Sequence, residues 1–146
     1  MSEIMENTID NLFKNNKNQH NISYFCTQYQ CEIGNGDRCA VRWVFADLSR
    51  KDISFQEFED GSNRCANLLR EIGISTGDRV FTFLPKSPYL YFFFLGILKV
   101  QAVAGVLFSN FGEEALLDRL ADSEARVLLT SKSFLRTIRA IWKKLP

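Results

Sequence analysis

At 146 residues, 46% hydrophobic and 24% charged, the chain has the size and composition of one globular domain with a core of its own. A formal net charge of +1 gives no electrostatic basis for binding nucleic acid or an anionic membrane surface. The aromatic residues are dominated by 13 Phe, against two Trp and four Tyr, which points to a bulky core or a buried interface.

Residues 1–20 read as a polar N-terminal extension with no apolar leader run, so a secretory signal is not expected. His20 is the one histidine, with no second to complete a catalytic or metal pair. A helix is expected over residues 21–32, ended by the turn-prone Gly34-Asn35-Gly36-Asp37. Cys39, Val41, Trp43 and Phe45 then alternate with Ala40, Arg42 and Val44, the period of a half-buried strand. A polar turn leads into a short return strand at Ile53.

The clearest helix follows. Ser54 with Glu57 three residues on is a capping-box signature. Phe55, Phe58, Ser62, Cys65, Ala66, Leu69 and Ile72 fall on one face, and Gly73 stands where a helix C-terminus takes glycine. Gly77-Asp78 turns into Val80-Phe81-Thr82-Phe83-Leu84, a run typical of a strand buried on both faces. Ser87-Pro88 opens a helix carrying Tyr91-Phe92-Phe93-Phe94, an aromatic run that reads as core packing, and that helix ends near Val100. A short strand is expected over residues 103–108, and a helix from Glu113 and Glu114 to about Ala121, with its acidic residues at the positive end of the dipole. Residues 126–130 read as a strand. A last helix, capped by Ser131 or Ser133, is expected to run to Lys144. From residue 79 on the order is β-α-β-α-β-α. Short apolar strands alternating with helices predict an α/β fold, a parallel sheet covered on both faces.

The cysteines, at 26, 31, 39 and 65, match no zinc or redox spacing. They read as reduced thiols of a cytoplasmic protein, with Cys39 and Cys65 on apolar faces. Residues 89–111 invite a membrane reading, but Lys99 near the centre of the stretch costs about 3 kcal/mol on insertion. Gly96 and Gly105 further weaken a continuous helix, so a buried helix followed by a buried strand explains the stretch better.

No phosphate-binding glycine loop, dinucleotide fingerprint, nucleophile elbow or zinc-protease helix occurs in the sequence. The strongest positional signal lies in the last helix. At helical spacing Lys132, Arg136, Arg139 and Lys143 fall within about 60° of one another, with Phe134, Ile138, Ile141 and Leu145 opposite. One reading is the solvated face of an amphipathic helix. The other is a phosphate-binding face, because arginines at i and i+3 grip one phosphate from adjacent turns with planar forks.

Several stretches together resemble AMP-forming acyl-CoA synthetases, acetyl-CoA synthetases above all. They are Asn21-Ile22-Ser23-Tyr24, Ser62-Asn63-Arg64, Ala66-Asn67-Leu68-Leu69 and Gly77-Asp78-Arg79-Val80. Phe83-Leu84-Pro85-Lys86-Ser87-Pro88 with Tyr91-Phe92, Leu95-Gly96 and Lys99 continues the likeness, as do Gly105-Val106-Leu107-Phe108 and Phe111. Asp118-Arg119-Leu120 and Asp122-Ser123-Glu124-Ala125-Arg126-Val127 complete it, in order and nearly without gaps. The resemblance implies a ligase that joins a carboxylate to ATP as an acyl-adenylate and passes the acyl group to CoA, with ATP, Mg2+ and CoA as cofactors. It also implies that residues 21–146 are an incomplete N-terminal α/β lobe, in which a helix and a short hairpin precede a partial parallel sheet flanked by helices.

An R-x-x-R pair after the last matched strand contacts the nucleotide phosphate of CoA in that family. Arg136 and Arg139 stand there with that spacing; Lys132 and Lys143 gain no such support. Tyr89, Gln101 and Val106 depart from the family's usual Glu, Gly and Pro, and Gln101 is expected to strain a tight helix–strand junction. The ATP-handling motifs have no counterpart here, so the chain is expected to be inactive alone and to bind no cofactor tightly. Its uncovered apolar surface is expected to drive self-association. The alternatives are a CoA- or nucleotide-binding module and an interaction module that complements a partner carrying the remaining lobes.

Overall fold

The computed structural model describes residues 21–145; the readings of residues 1–20, His20 among them, lie outside these. The first helix is two, α1 (Ile22–Cys26) and α2 (Gln28–Glu32). The break is at Thr27, with φ −132° and ψ −81°, whose hydroxyl donates to the Ser23 carbonyl at 2.8 Å. A threonine that bonds back to the carbonyl four residues earlier bends a helix, a local effect that apolar spacing does not reveal. Asn21 caps α1 by accepting from the Ser23 N–H, and its amide donates across to the Leu98 carbonyl at 2.6 Å.

Strands β1 (Cys39–Val44) and β2 (Arg50–Ser54) form the expected antiparallel hairpin. The register slips between Cys39 and Val41, so Ala40 and Val41 both turn toward the core and Cys39 is exposed rather than on the apolar face. Helix α3 (Phe55–Glu71) carries the capping box in full, with Ser54 Oγ accepting from the Glu57 N–H and the Glu57 carboxylate accepting from the Ser54 N–H. It ends in a Schellman turn: Gly73, at φ +83°, donates to the Arg70 carbonyl and Ile74 to the Leu69 carbonyl. Ile74, not Ile72, is therefore the residue buried against Leu69, and Ile72 is exposed.

The remainder is β3 (Arg79–Phe83), α4 (Pro88–Lys99), β4 (Val103–Val106), α5 (Glu113–Asp122), β5 (Val127–Thr130) and α6 (Leu135–Ile141). The three strands pair in parallel in the order β4-β3-β5. Side-chain alternation splits the central strand between two cores. Val80, with Ala104, Val127 and Leu129, packs under Ala66 and Leu69 of α3 and Ile97 of α4. Phe81, Phe83 and Leu128 face Leu116 and Leu120 of α5 and Ile138 and Ile141 of α6. This is the three-layer α/β arrangement expected of a parallel sheet.

Glycine sets how closely the layers approach. A side chain at Gly96 would meet the Cys65 Cβ at 2.6 Å and the Ser62 carbonyl at 3.0 Å, so α3 and α4 cross there almost backbone to backbone. The aromatic run of α4 packs on both α3 and the hairpin: Phe92 stacks edge-on to Phe58 of α3 at 5.2 Å, and Trp43 of β1 meets Tyr91 at 6.4 Å. The stretch over residues 89–111 thus resolves into α4 and β4, and no helix among the described residues is long and apolar enough to cross a membrane.

Candidate functional site

In an open parallel sheet, ligands bind beyond the carboxyl ends of the strands, where loops and helix starts converge. Here that edge is formed by the segments leaving β3, β4 and β5. Phe83 pairs in register with Thr130, so β3 and β5 end level. Thr130 Oγ1 donates to the Phe83 carbonyl at 2.9 Å and ties the two ends together.

The last helix is shorter than its pattern suggests. A 3-10 turn over Lys132–Phe134 precedes α6 and another over Trp142–Lys144 follows it. Neither serine caps it; the Ser131 and Ser133 hydroxyls bond to each other at 2.6 Å. The first turn swings the Phe134 ring onto Phe83, with centroids 4.5 Å apart, and so clamps the start of α6 to the end of β3. Ile138 and Ile141 are buried beneath, and Phe134 and Leu145 flank them as the periodicity predicts.

Arg136 and Arg139 lie on the opposite, exposed side of α6, one turn apart, as do Lys132 and Lys143 in the flanking turns. Neither arginine makes a hydrogen bond or ion pair to any described residue, so both forks are available to a ligand. Side chains at i and i+3 sit about 5–6 Å apart, within reach of one phosphate. The pair therefore fits a phosphoryl group. By contrast, the described residues contain no group of three or more His, Cys, Asp or Glu able to hold a metal ion. No step through Mg2+ is assigned to them.

Two features of chemical interest escaped the sequence reading. Lys86 leaves the end of β3 between Pro85 and Pro88, exposed and unpartnered among the described residues. Its place directly after a buried strand was the available signal. The second is an ion pair below the surface: Lys99 Nζ lies 2.6 Å from Glu59 Oε2 and 2.8 Å from Asn63 Oδ1, with the Lys and Glu side chains only 11% and 12% exposed. Burial pushes the Glu59 carboxyl up, but the hydrogen bonds from Lys99 and Asn63 outweigh it and hold the group below its ordinary value.

The opposite edge is already saturated. Arg126 bonds Asp78 at 2.5 Å, and Arg79 reaches the Ser123 carbonyl and the Glu124 carboxylate. The motif residues 77–80 and 122–127 thus pair with one another and act as a structural lock. Gln101 sits in a Schellman turn closing α4 at φ +59°, with its side chain exposed. The strain expected there is in the backbone, not in packing. A cleft of about 590 Å³ lies off α1, α3 and α4, lined by Asn21, Gln28, Asn63, Arg70, Lys99 and Gln101. No candidate read from the sequence lines it.

The sequence of residues 30–145 matches the AMP-binding enzyme family. The chain is 49% identical over 119 residues to the acetyl-coenzyme A synthetase of Bacillus subtilis (strain 168), covering 81% of this chain and 21% of that protein. It is 38% identical over 108 residues to the acetyl-coenzyme A synthetase of Escherichia coli (strain K12), covering 73% and 17%. Among solved structures it superposes on the acyl-CoA synthetase of Brucella canis with a TM-score of 0.82 at 26% identity, over 97% of this chain and 26% of that one. The chain spans only about a fifth of the length of these curated relatives. With the fold, the motif order and these likenesses in agreement, the chain belongs to the AMP-binding enzyme family.

Proposed function

We propose that residues 21–146 are the first part of the N-terminal α/β lobe of an AMP-forming acetyl- or acyl-CoA ligase, which converts a carboxylate, ATP and CoA to acyl-CoA, AMP and pyrophosphate. Within it, Arg136 and Arg139 contact a phosphate of CoA. The observation that carries this reading is the exposed, unpartnered arginine pair one turn apart on α6, directly beyond the carboxyl end of β5. We read the segment by itself as forming no acyl-adenylate, because its sequence carries no phosphate-binding glycine loop. CoA supplies the thiol that accepts the acyl group; these residues bind and orient its nucleotide end.

The test is calorimetric titration of the chain with CoA and with 3′-dephospho-CoA, repeated with Arg136→Ala and Arg139→Ala. The reading expects weak binding of CoA that favours the 3′-phosphate, and loss of that preference in either variant. Equal binding of the two ligands would refute it. Incubation with acetate, ATP and CoA should yield no AMP, and steady AMP release would refute the claim of inactivity.

A second reading, complementation by a polypeptide carrying the remaining lobes, is favoured by the sheet itself. Within the described residues β4 and β5 each pair on one side only, and a groove of about 340 Å³ is lined by Leu128, Trp142 and Arg126.

A further inference from the structure

We infer that Lys86 is a third cation of the anion site on this edge, acting with Arg136 and Arg139 on the same phosphate-bearing end of the ligand; the inference rests on the CoA-phosphate reading of those arginines. Three observations converge on it. The first is register. β3 and β5 are neighbours whose last paired residues are Phe83 and Thr130, so Lys86 and Lys132 leave adjacent strand ends at nearly the same height.

The second is the clamp. The Thr130 hydroxyl on the Phe83 carbonyl and the Phe134 ring on Phe83 hold the start of α6 against the end of β3. The loop carrying Lys86 and the turn leading to Arg136 are thereby held side by side. The third is the stiffness of the Lys86 segment. Leu84 and Ser87 each precede a proline, which disfavours helical backbone, and Ser87 is extended at φ −161° and ψ 162°. Lys86 is thus carried outward on a rigid stalk into solvent instead of folding back onto the protein.

The charges around it matter. Lys132 is exposed on the turn that follows β5, and Glu113 and Glu114 open α5, which packs beside α6 on the same face of the sheet. Neither glutamate pairs with Lys86, Arg136 or Arg139, so the positive charge on the β3–β5 side is unneutralised by described residues. A lysine contributes here as a point charge on a flexible stem, which tolerates several phosphate positions, while the arginines supply the directional forks.

The experiment uses the full chain, with CoA and 3′-dephospho-CoA as probes in calorimetric titrations of wild type, Lys86→Gln, Lys86→Arg and Arg136→Ala. Lys86→Gln should weaken CoA binding about three- to fivefold, leave dephospho-CoA binding unchanged, and lose its effect in 0.5 M salt. Lys86→Arg should restore binding. Far-ultraviolet circular dichroism should be the same for all four proteins, since Lys86 is exposed. If wild type prefers CoA and Arg136→Ala abolishes the preference while Lys86→Gln binds like wild type, the role of Lys86 is overturned and the arginine reading stands. If wild type shows no preference for the 3′-phosphate, both fall.

Discussion

Replacing Lys99 with Met removes the counter-charge of Glu59 and keeps the length and apolar stem of the side chain. In the structure the ammonium lies 2.6 Å from the Glu59 carboxylate, and both side chains are nearly nine-tenths covered. Breaking such a pair leaves an uncompensated charge where water cannot fully solvate it, at a cost of about 3–5 kcal/mol. The residual exposure puts the expected loss near the lower end, about 3 kcal/mol, or roughly 10 °C in Tm for a chain of this size.

The pH dependence makes the test specific. In the wild type the carboxyl is held below its ordinary value, so its stabilisation is present above the unfolded pKa and is lost as pH falls through the folded one. In Lys99→Met burial is opposed only by the remaining hydrogen bonds such as that from Asn63, so the pKa rises and the variant should recover stability relative to wild type as pH falls from 7 to 5. Urea unfolding followed by fluorescence of Trp43 and Trp142 measures both effects. The double variant Glu59→Leu/Lys99→Met, which removes both charges, should lie within about 1 kcal/mol of wild type. A loss below 1 kcal/mol at pH 7, or a double variant as unstable as the single, would refute the account.

Gln101→Gly should stabilise the chain by about 1 kcal/mol, roughly 3 °C, because glycine adopts the φ of +59° without the left-handed penalty. The hydrogen bond from Thr76 Oγ1 to the Gln101 side chain is an exposed one and offsets little of this. A lower Tm would contradict it. Gly96→Val should destabilise by about 2 kcal/mol or more, since its Cβ would sit 2.6 Å from that of Cys65 and force α3 and α4 apart; an unchanged urea midpoint would show that the crossing is not tight. Cys65, whose thiol burial pushes up to about 11, should react with a disulfide reagent at pH 8 far more slowly than exposed Cys39, with mass spectrometry reporting the order of labelling.

Most of the architecture was legible because each element carries a physical signature in its own residues. The capping box at Ser54 and Glu57, the glycine at 73 and the apolar run of β3, buried between two cores, are written in local residues, and all appear as read. What failed were features that apolar spacing does not encode. The bend at Thr27 depends on where one hydroxyl points, the exposure of Cys39 on a one-residue slip in pairing, and the shortened last helix on a ring stacking across to Phe83. The Glu59–Lys99 pair joins residues 40 apart in the chain, and a lysine read by composition looks like any solvated charge. The arginine pair of the candidate site was visible as a stripe. That its forks are free, and that Lys86 leaves the neighbouring strand end, required the three-dimensional arrangement.

The two ends of the sheet treat charge in opposite ways, and this asymmetry bears on where the function lies. At the amino end of the strands, Asp78, Arg79, Glu124 and Arg126 satisfy one another, and the Gly77 N–H donates to the Gln101 carbonyl across the same edge. Ions there are consumed in holding the helix ends to the sheet. At the carboxyl end the ties are apolar or neutral, with Phe134 on Phe83 and the Thr130 hydroxyl on a carbonyl, and the cations Lys86, Lys132, Arg136 and Arg139 find no partner among the described residues. Four unpaired cations on one edge repel each other, a cost that persists only weakly in solvent but that a bound phosphate reverses in sign. An edge held together without using its charges leaves them for a ligand. Neutralising the set by a combined Lys86→Gln/Arg136→Gln/Arg139→Gln replacement should therefore leave Tm unchanged or slightly raised while abolishing the preference for a 3′-phosphate. A fall of several degrees would show instead that these cations serve the fold.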